Sequence, residues 1–78
     1  MFLEIISPDK KIFSGTVKSI VVPGSDGSLG ILENHAPLIA SLKKGFVAIT
    51  EENEQRQTFN IKGGVIEVLK NKVVVLAE

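Results

Sequence analysis

Hydrophobic and polar residues alternate along most of the chain, in short runs separated by Gly, Pro, Asn and Asp. Because side chains two positions apart lie on the same face of a strand, this period predicts β-strands with one buried face. Residues with high strand propensity, mainly Val, Ile, Phe and Thr, fill these runs. The predicted strands cover residues 2–7, 11–14, 16–22, 29–32, 38–42, 46–50, 57–62, 65–69 and 72–76.

Four places depart from simple alternation. Val21 and Val22 are adjacent apolar residues at the end of the third run, which predicts a bulge or burial on both faces. Residues 38–42 would also place three apolar side chains on one helical face, but this segment is too short for a stable helix, so we predict a strand. Gly63-Gly64 indicates a bend or a close backbone approach. Lys70-Asn71 predicts a two-residue turn, because Asn accepts a positive φ.

Short strands with closely spaced turn residues indicate an all-β protein. We predict a small antiparallel β-sandwich or flattened barrel of about ten short strands. The 78 residues fit one domain, 1–78, and their hydrophobic share of 44% is enough for a small core. The sequence has no cysteine, so neither disulfides nor thiolate metal sites stabilise the fold. A chain of this size often gains stability from a partner.

Charge and composition argue against several classes of function. The formal net charge is zero, Trp and Tyr are absent, and the four Phe are scattered, so we predict no nucleic-acid binding. No apolar run approaches the roughly 20 residues of a membrane-spanning helix. Residues 1–6 contain Glu4 and no basic residue, which differs from a signal peptide and predicts a cytoplasmic protein.

His35 is the only histidine and the first candidate for acid–base chemistry. A nucleophile–base pair would need a hydroxyl beside the ring and an acid to orient it. Ser41 and Glu33 are available, but no spacing brings them together, so we interpret His35 as a loop or interface residue. A small hydrolase that uses His35 is the third hypothesis, which an activity screen with His35→Ala would test.

Metal and phosphate sites are not predicted either. The acidic run 51–54 is interpreted as a solvated hairpin tip, because the carboxylates of the chain show no metal-ligand spacing. Gly24, Gly27 and Gly30 follow a strand as in phosphate-binding loops, but no long helix pattern follows Gly30. These glycines are predicted turn and bulge positions, and the sequence predicts no cofactor.

The turn at Lys70-Asn71-Lys72 allows a second hypothesis. Carrier domains of similar size present a modified lysine at the tip of such a hairpin. The simpler interpretation is that charged residues flank an exposed turn. An intact-mass measurement separates the two, because an attached cofactor adds mass.

Several short motifs occur in an order that resembles a known family. They are Ser14-Gly15, residues 22–32 (VPGSDGSLGIL), His35-Ala-Pro-Leu38, Leu42-Lys-Lys-Gly45, Gly63-Gly64, Glu67-Val68 and Val73-Val-Val-Leu-Ala77. Together they closely resemble the N-terminal domain of the ε subunit of F-type ATP synthases, which is called δ in mitochondria. The match runs over the whole chain, and its specificity lies in the ordered combination.

The resemblance implies a β-sandwich in the central stalk of the rotor, packed against the γ subunit and resting on the ring of c subunits. It implies a non-catalytic subunit that helps couple ion translocation to ATP synthesis, with catalysis left to the α and β subunits. It also implies a peripheral position at the cytoplasmic face of the bacterial plasma membrane. We expect the isolated chain to be monomeric.

Two candidate contact surfaces follow from the resemblance, position by position. The loop resembling the one that touches the c ring consists of Ser25, Asp26, Gly27 and Ser28. Family members often have an acid at the position of Ser28, and Asp26 supplies a charge nearby. The surface resembling the one that meets γ consists of Ser7, His35, Ala36, Pro37, Leu38, Ile39 and Ala40. Many relatives have Pro-Gly where this chain has Glu33-Asn34.

Typical family members continue into a C-terminal helical hairpin, which inhibits ATP hydrolysis in many bacteria and binds ATP in some. The sequence stops at Glu78, which leaves a naturally short bacterial subunit or a truncated chain as alternatives. We expect a subunit without an inhibitory hairpin that acts in coupling alone. A γ-binding surface should also expose an apolar patch, which we expect among Leu38, Ile39, Ala40 and Leu42.

Overall fold

A computed structural model describes all residues from Met1 to Glu78 and contains eight β-strands. The strands are β1 (Phe2–Ile6), β2 (Lys11–Gly24), β3 (Gly27–Leu32), β4 (Leu38–Leu42), β5 (Gly45–Glu51), β6 (Arg56–Ile61), β7 (Gly64–Leu69) and β8 (Lys72–Ala77). The predicted all-β class is confirmed, and so is the strand at residues 38–42. The structure contains no candidate membrane-spanning helix.

The strands form a sandwich-like fold of two layers. The first layer has the order β1-β8-β7-β4, in which β1 and β8 are parallel and the other neighbours antiparallel. The second layer consists of β3, β2, β5 and β6 with antiparallel pairs. The start of β2 also pairs with β1, and its end meets β4 through Gly24 and Leu42, so this one strand joins the two layers.

The number of strands is eight rather than about ten. Two predicted strands, 11–14 and 16–22, are a single strand of 14 residues, because Gly15 stays in the ladder opposite Leu3. A glycine is a frequent strand end in sequence patterns, but its backbone groups pair like those of any other residue. The long strand is what allows β2 to serve both layers.

The predicted irregularity in the third run is a bulge at Lys18. Val17 lies opposite Glu51, and Ser19 lies opposite Thr50, so Lys18 is an extra residue in the ladder with β5. The bulge changes the alternation, and Val17, Ile20 and Val22 all point inward. Val21 remains 43% exposed, which rules out burial on both faces at the end of this run.

The core between the layers holds sixteen buried residues, all of them hydrophobic. They are Met1, Leu3, Ile5, Val17, Ile20, Val22, Ile31, Leu42, Val47, Ile49, Ile61, Ile66, Val68, Val73, Val75 and Ala77. Every strand contributes at least one, and most lie at alternate positions, as expected for strands with one buried face. The outward positions of both layers remain available for partners.

The predicted turn chemistry is confirmed at two sites. Lys70 and Asn71 have φ values of 50° and 60°, as required at both central positions of a tight hairpin turn. Gly64 has a φ of 146°, and a Cβ there would overlap the Leu76 carbonyl oxygen. Gly64 therefore marks the close backbone approach that the Gly63-Gly64 pair indicated.

Candidate protein-interaction surface

The turn between β2 and β3 projects Ser25 and Asp26 into solvent. Gly27 follows with a φ of 137°, and a Cβ on Gly24 would overlap the Gly27 carbonyl oxygen. Both glycines are therefore needed for the tight reversal. The predicted turn is present, and its one charged side chain is Asp26.

The Ser25–Ser28 turn lies against β4 and lines a groove of about 410 Å³ with residues 38–41. The Ser25 N–H donates to the Ser41 carbonyl oxygen at 2.9 Å, and the Ser41 hydroxyl donates to the Ser25 hydroxyl at 3.0 Å. Beside this contact, the Lys43 N–H donates to the Pro23 carbonyl oxygen at 2.8 Å. The structure thus brings together two segments that lie more than ten residues apart in the sequence.

Strand β4 presents one large apolar side chain to solvent. Ile39 is 72% exposed. Leu38 and Ala40 are half-buried and pack against the core, and Leu42 is buried. The apolar patch expected among these four residues is therefore wrong for Leu42, because strand alternation turns every second residue inward.

The exposed apolar surface continues instead on the neighbouring strands. We use the name front face for the outward side of β4, β7, β8 and β1. Its exposed hydrophobic residues, besides Ile39, are Phe2, Val65, Leu69 and Leu76. The sequence analysis did not single out these four. The sequence pattern that could have identified the residues of β7 and β8 is the presence of apolar residues on both faces of these strands. This pattern indicates strands that are covered on both sides.

A charged cluster lies at the β1 side of the front face, whereas the exposed Glu67 on β7, opposite Ile39, forms no ion pair. The Glu4 carboxylate lies 3.0 Å from Lys11 Nζ and 3.7 Å from Lys72 Nζ. The hydrogen bond from Lys11 is the largest cause that lowers the pKa of Glu4, with charge attraction from both lysines added. Lys72 Nζ also lies 6.0 Å from the centre of the Phe2 ring. Apart from this cluster, Glu67 and Ser41, the outward side chains of the four strands are apolar.

His35 lies half-buried in the loop between β3 and β4. Its Nδ1 lies 2.7 Å from the Ala36 carbonyl oxygen, and its backbone N–H donates to the Leu32 carbonyl oxygen at 3.2 Å. The Ser41 hydroxyl bonds Ser25 rather than the His35 ring. Both contacts of His35 are thus local to its own loop, which fits a loop or interface residue.

Glu33 and Asn34 anchor the start of this loop. The two Glu33 carboxylate oxygens accept hydrogen bonds of 2.7 Å, one from the Met1 ammonium and one from the Asn71 side-chain amide. The Asn71 amide is the first cause that lowers the pKa of Glu33, and the ammonium is the second. Asn34 has a φ of 60°, and its N–H donates to Asn71 Oδ1 at 2.8 Å.

Ser7 is separated from the other residues of its predicted surface. It follows the end of β1, and its N–H donates to the Lys10 carbonyl oxygen at 2.9 Å. The pairing of β1 with β8, β8 with β7 and β7 with β4 puts Ser7 and His35 beyond opposite corners of the front face. Both residues border the same face, but they do not form one cluster.

The other sequence candidates have structural roles. The acidic run 51–54 forms the tip of the β5–β6 hairpin, as interpreted, and Glu54 forms an ion pair with Lys18 at the bulge. The hydrogen bond from Lys18 lowers the pKa of the Glu54 carboxyl. Next to the β7–β8 turn, Lys72 at the start of β8 is paired with Glu4. One of the two lysines of the carrier-domain hypothesis is therefore engaged within the fold.

Comparisons with known proteins agree with this architecture. The family model of the ATP synthase delta/epsilon chain β-sandwich domain matches residues 1–78. The ATP synthase epsilon chain of Chlorobium limicola is 43% identical over 76 residues, which cover 97% of this chain and 86% of the relative. The epsilon chain of Pelotomaculum thermopropionicum is 49% identical, with 96% of this chain and 55% of the relative covered. The chain thus spans most of one relative and about half of the other.

Solved structures show the same fold. A chain of the Euglena gracilis mitochondrial ATP synthase structure with OSCP, F1 and c ring superposes with a TM-score of 0.90 at 22% identity, covering 96% of this chain and 48% of that chain. A chain of the Tetrahymena thermophila mitochondrial ATP synthase central stalk and c ring gives a TM-score of 0.83 at 19% identity, covering 99% and 62%. The family model spans residues 1–78, and the Chlorobium relative is matched over most of its length. This chain therefore belongs to the ATP synthase delta/epsilon family, and its residues 1–78 match the β-sandwich domain of that family.

Proposed function

We propose that this chain is a non-catalytic rotor subunit of an F-type ATP synthase, which binds γ and the c ring and helps couple ion translocation to ATP synthesis. Family membership supports this assignment, and so do fold relatives in assemblies that contain the central stalk and the c ring. The observation that carries it is the front face, where several strands expose apolar side chains to solvent. Such a surface is typical of a protein-binding site.

In this proposal the γ subunit covers the front face and the adjoining loop at His35–Pro37. Ile39 protrudes from the face, and a hollow of about 360 Å³ beside it is lined by Pro37, Leu69 and neighbouring residues. A protruding side chain next to a hollow suits a rigid protein partner, because both sides of the contact can interlock. Ser7 marks the far corner of the same contact.

The Ser25–Ser28 turn is the proposed contact with the c ring. Its exposed hydroxyls and the Asp26 carboxylate suit the polar loops of a membrane ring. The bonds from Ser25 to Ser41 join this turn to β4. The two proposed contacts are therefore built on one rigid unit, which suits a subunit that transmits torque between γ and the ring.

A peripheral position at the cytoplasmic face of a bacterial plasma membrane follows from the proposed ring contact. The proposal also assigns no catalysis to this chain. Ser41 and Glu33 each bond other partners, so no nucleophile–base–acid arrangement forms around His35. One copy per rotor, monomeric when isolated, completes the proposal.

The test is binding of the 78-residue chain to its cognate γ subunit, with ATP hydrolysis by the reconstituted catalytic head followed in the same sample. We expect one-to-one binding without inhibition. Strong inhibition would show that the sandwich itself regulates hydrolysis. Lack of any binding would contradict the rotor assignment.

A further inference from the structure

We propose that Asn71 is a positioning residue for γ binding, because its side chain sets the shape of the Glu33–Pro37 loop from outside that loop. This inference rests on the proposed function, since it assumes that the loop contacts γ. Asn71 belongs to the β7–β8 turn and is 38 positions away from Glu33. The sequence motifs did not connect the two segments.

Three hydrogen bonds converge on Asn71 from two other parts of the chain. Its Oδ1 accepts from the Asn34 N–H at 2.8 Å, and its Nδ2 donates to Glu33 Oε2 at 2.7 Å. Its backbone carbonyl accepts from the Phe2 N–H at 3.2 Å. One residue therefore ties the β3–β4 loop and the beginning of β1 to the β7–β8 turn.

Only an amide side chain satisfies both side-chain contacts. Asp would keep an acceptor for the Asn34 N–H, but it would lose the donor to Glu33 and place two carboxylates side by side. Asn71 also occupies a φ of 60°, which Asn tolerates better than most residues. Amide chemistry and backbone conformation thus select the same residue type.

The loop needs this support because most of it is exposed and few contacts within the loop itself hold its shape. Asn34 has a φ of 60°, and Asn34, Ala36 and Pro37 are exposed. A positive φ outside glycine persists where surrounding contacts hold it. Here the Asn34 N–H points to Asn71, while Glu33 is fixed between Asn71 and the Met1 ammonium. Without Asn71, we expect the loop to sample other shapes before it binds.

The location of Asn71 connects the loop to the front face. The turn it belongs to follows Leu69, which is 52% exposed, and precedes Lys72. The loop leads directly into β4 and the exposed Ile39. A fixed loop therefore has a fixed orientation relative to the apolar side chains that γ is proposed to cover, which lowers the ordering cost of binding.

The experiment compares Asn71→Gly with the matched variant Lys70→Gly. Both positions have a positive φ, so glycine suits the turn equally well, and only Asn71→Gly removes the contacts to the loop. Asn71→Asp is the third variant. We measure the affinity for purified γ, the amide exchange rate of Asn34 and the titration of the Glu33 carboxyl by NMR.

We expect Asn71→Gly and Asn71→Asp to weaken γ binding roughly tenfold, the effect of about two net hydrogen bonds. Asn34 exchange should accelerate in Asn71→Gly, and the pKa of Glu33 should rise in both variants. Lys70→Gly should leave all three quantities unchanged.

Two results would overturn the inference. Unchanged Asn34 exchange and Glu33 titration in Asn71→Gly would show that Asn71 does not hold the loop. A released loop with unchanged γ affinity would show that the loop shape does not matter for γ. If the unmodified chain does not bind γ, the proposed function is wrong, and so is the role of Asn71 in γ binding. The NMR data would still report separately whether Asn71 holds the loop.

Discussion

Ile39 is 72% exposed, more than any other large hydrophobic side chain of the protein. Its neighbours across the ladder lie on β7, so it stands at the edge of the front face. In the isolated chain this side chain contributes little to folding, because water already surrounds it. In the proposed function this side chain contacts γ.

We predict that Ile39→Ser weakens γ binding by about 10- to 100-fold, the range expected for losing one buried isoleucine at an interface. Calorimetry with purified γ measures the change, and thermal unfolding of the variant should stay close to that of the parent. Phe46→Ser is the control, since Phe46 is 61% exposed on the outward side of the second layer. Equal losses for both variants would contradict the assignment of γ to the front face.

A second prediction at the residue scale concerns Gly64. Gly64→Ala should lower the free energy of unfolding by about 2 kcal/mol or more, because the φ of 146° is strained for alanine and the new Cβ overlaps the Leu76 carbonyl oxygen. Denaturant titration followed by circular dichroism measures it.

Gly30→Ala serves as the matched control for Gly64→Ala. No atom lies within 4 Å of a Cβ built on Gly30. This substitution should therefore be neutral or slightly stabilising. A similar loss of stability in both variants would mean that the close approach at Gly64 does not cause the effect.

At the scale of elements, β2 holds the two layers together. It pairs with β1, β3 and β5 along its 14 residues, and the bulge at Lys18 lets Val17 and Ile20 both face the core. Without the extra residue, the buried side chains before Lys18 and those after it would point to opposite faces of the sheet.

We predict that deleting Lys18 lowers the free energy of unfolding by about 3 kcal/mol or more, because it turns at least one of the two buried halves of β2 outward. For a domain of this size such a loss is a large part of the total stability. The folded fraction, measured by circular dichroism at several temperatures, reports the effect.

Lys18→Ala separates the backbone role of this position from its ion pair with Glu54. Because that pair is exposed, the alanine variant should remain almost as stable as the parent. Deleting Glu52, at the tip of the β5–β6 hairpin, is the matched deletion and should be tolerated far better. If the Lys18 deletion is equally well tolerated, the bulge does not set the inward pattern of β2.

For the whole molecule, the ionisable groups predict how stability depends on pH. Glu4, Glu33 and Glu54 each have a pKa lowered from the ordinary 4.5 by hydrogen bonds or nearby cations in the folded state. A lowered folded-state pKa means that these carboxylates stabilise the fold above the unfolded pKa, and that this contribution is lost as pH falls through the folded-state values.

We therefore predict that stability changes little from pH 7 to pH 5 on account of these carboxyls, and falls progressively below about pH 4.5. Urea titrations at a series of pH values measure this dependence. Glu4→Gln should make the acid limb of the profile shallower, because glutamine does not titrate. An acid limb of the same slope in the parent and this variant would contradict the role of Glu4.

Much of the fold was accessible from the sequence. The alternation of apolar residues predicted the strands, the all-β class and an irregularity in the run 16–22, although the bulge lies at Lys18 rather than near the end of that run. Turn chemistry predicted the tight turn at Lys70-Asn71, and the Gly63-Gly64 pair indicated the close backbone approach at Gly64. The ordered motifs indicated the ATP synthase family, which the family model supports over residues 1–78. The strands and turns are local features, so a short window of sequence contains the information they need, whereas the family resemblance depends on the order of motifs along the whole chain.

Only the tertiary structure decided how distant segments combine. Three features depend on pairing between distant strands. They are the continuation of β2 through Gly15, the choice of outward-facing residues among 38–42, and the contact of the Ser25–Ser28 turn with β4. The front face and the contacts of Asn71 with the β3–β4 loop likewise join residues more than thirty positions apart. Local sequence sets the period and the turns, but long-range hydrogen bonding and close packing select which strands become neighbours.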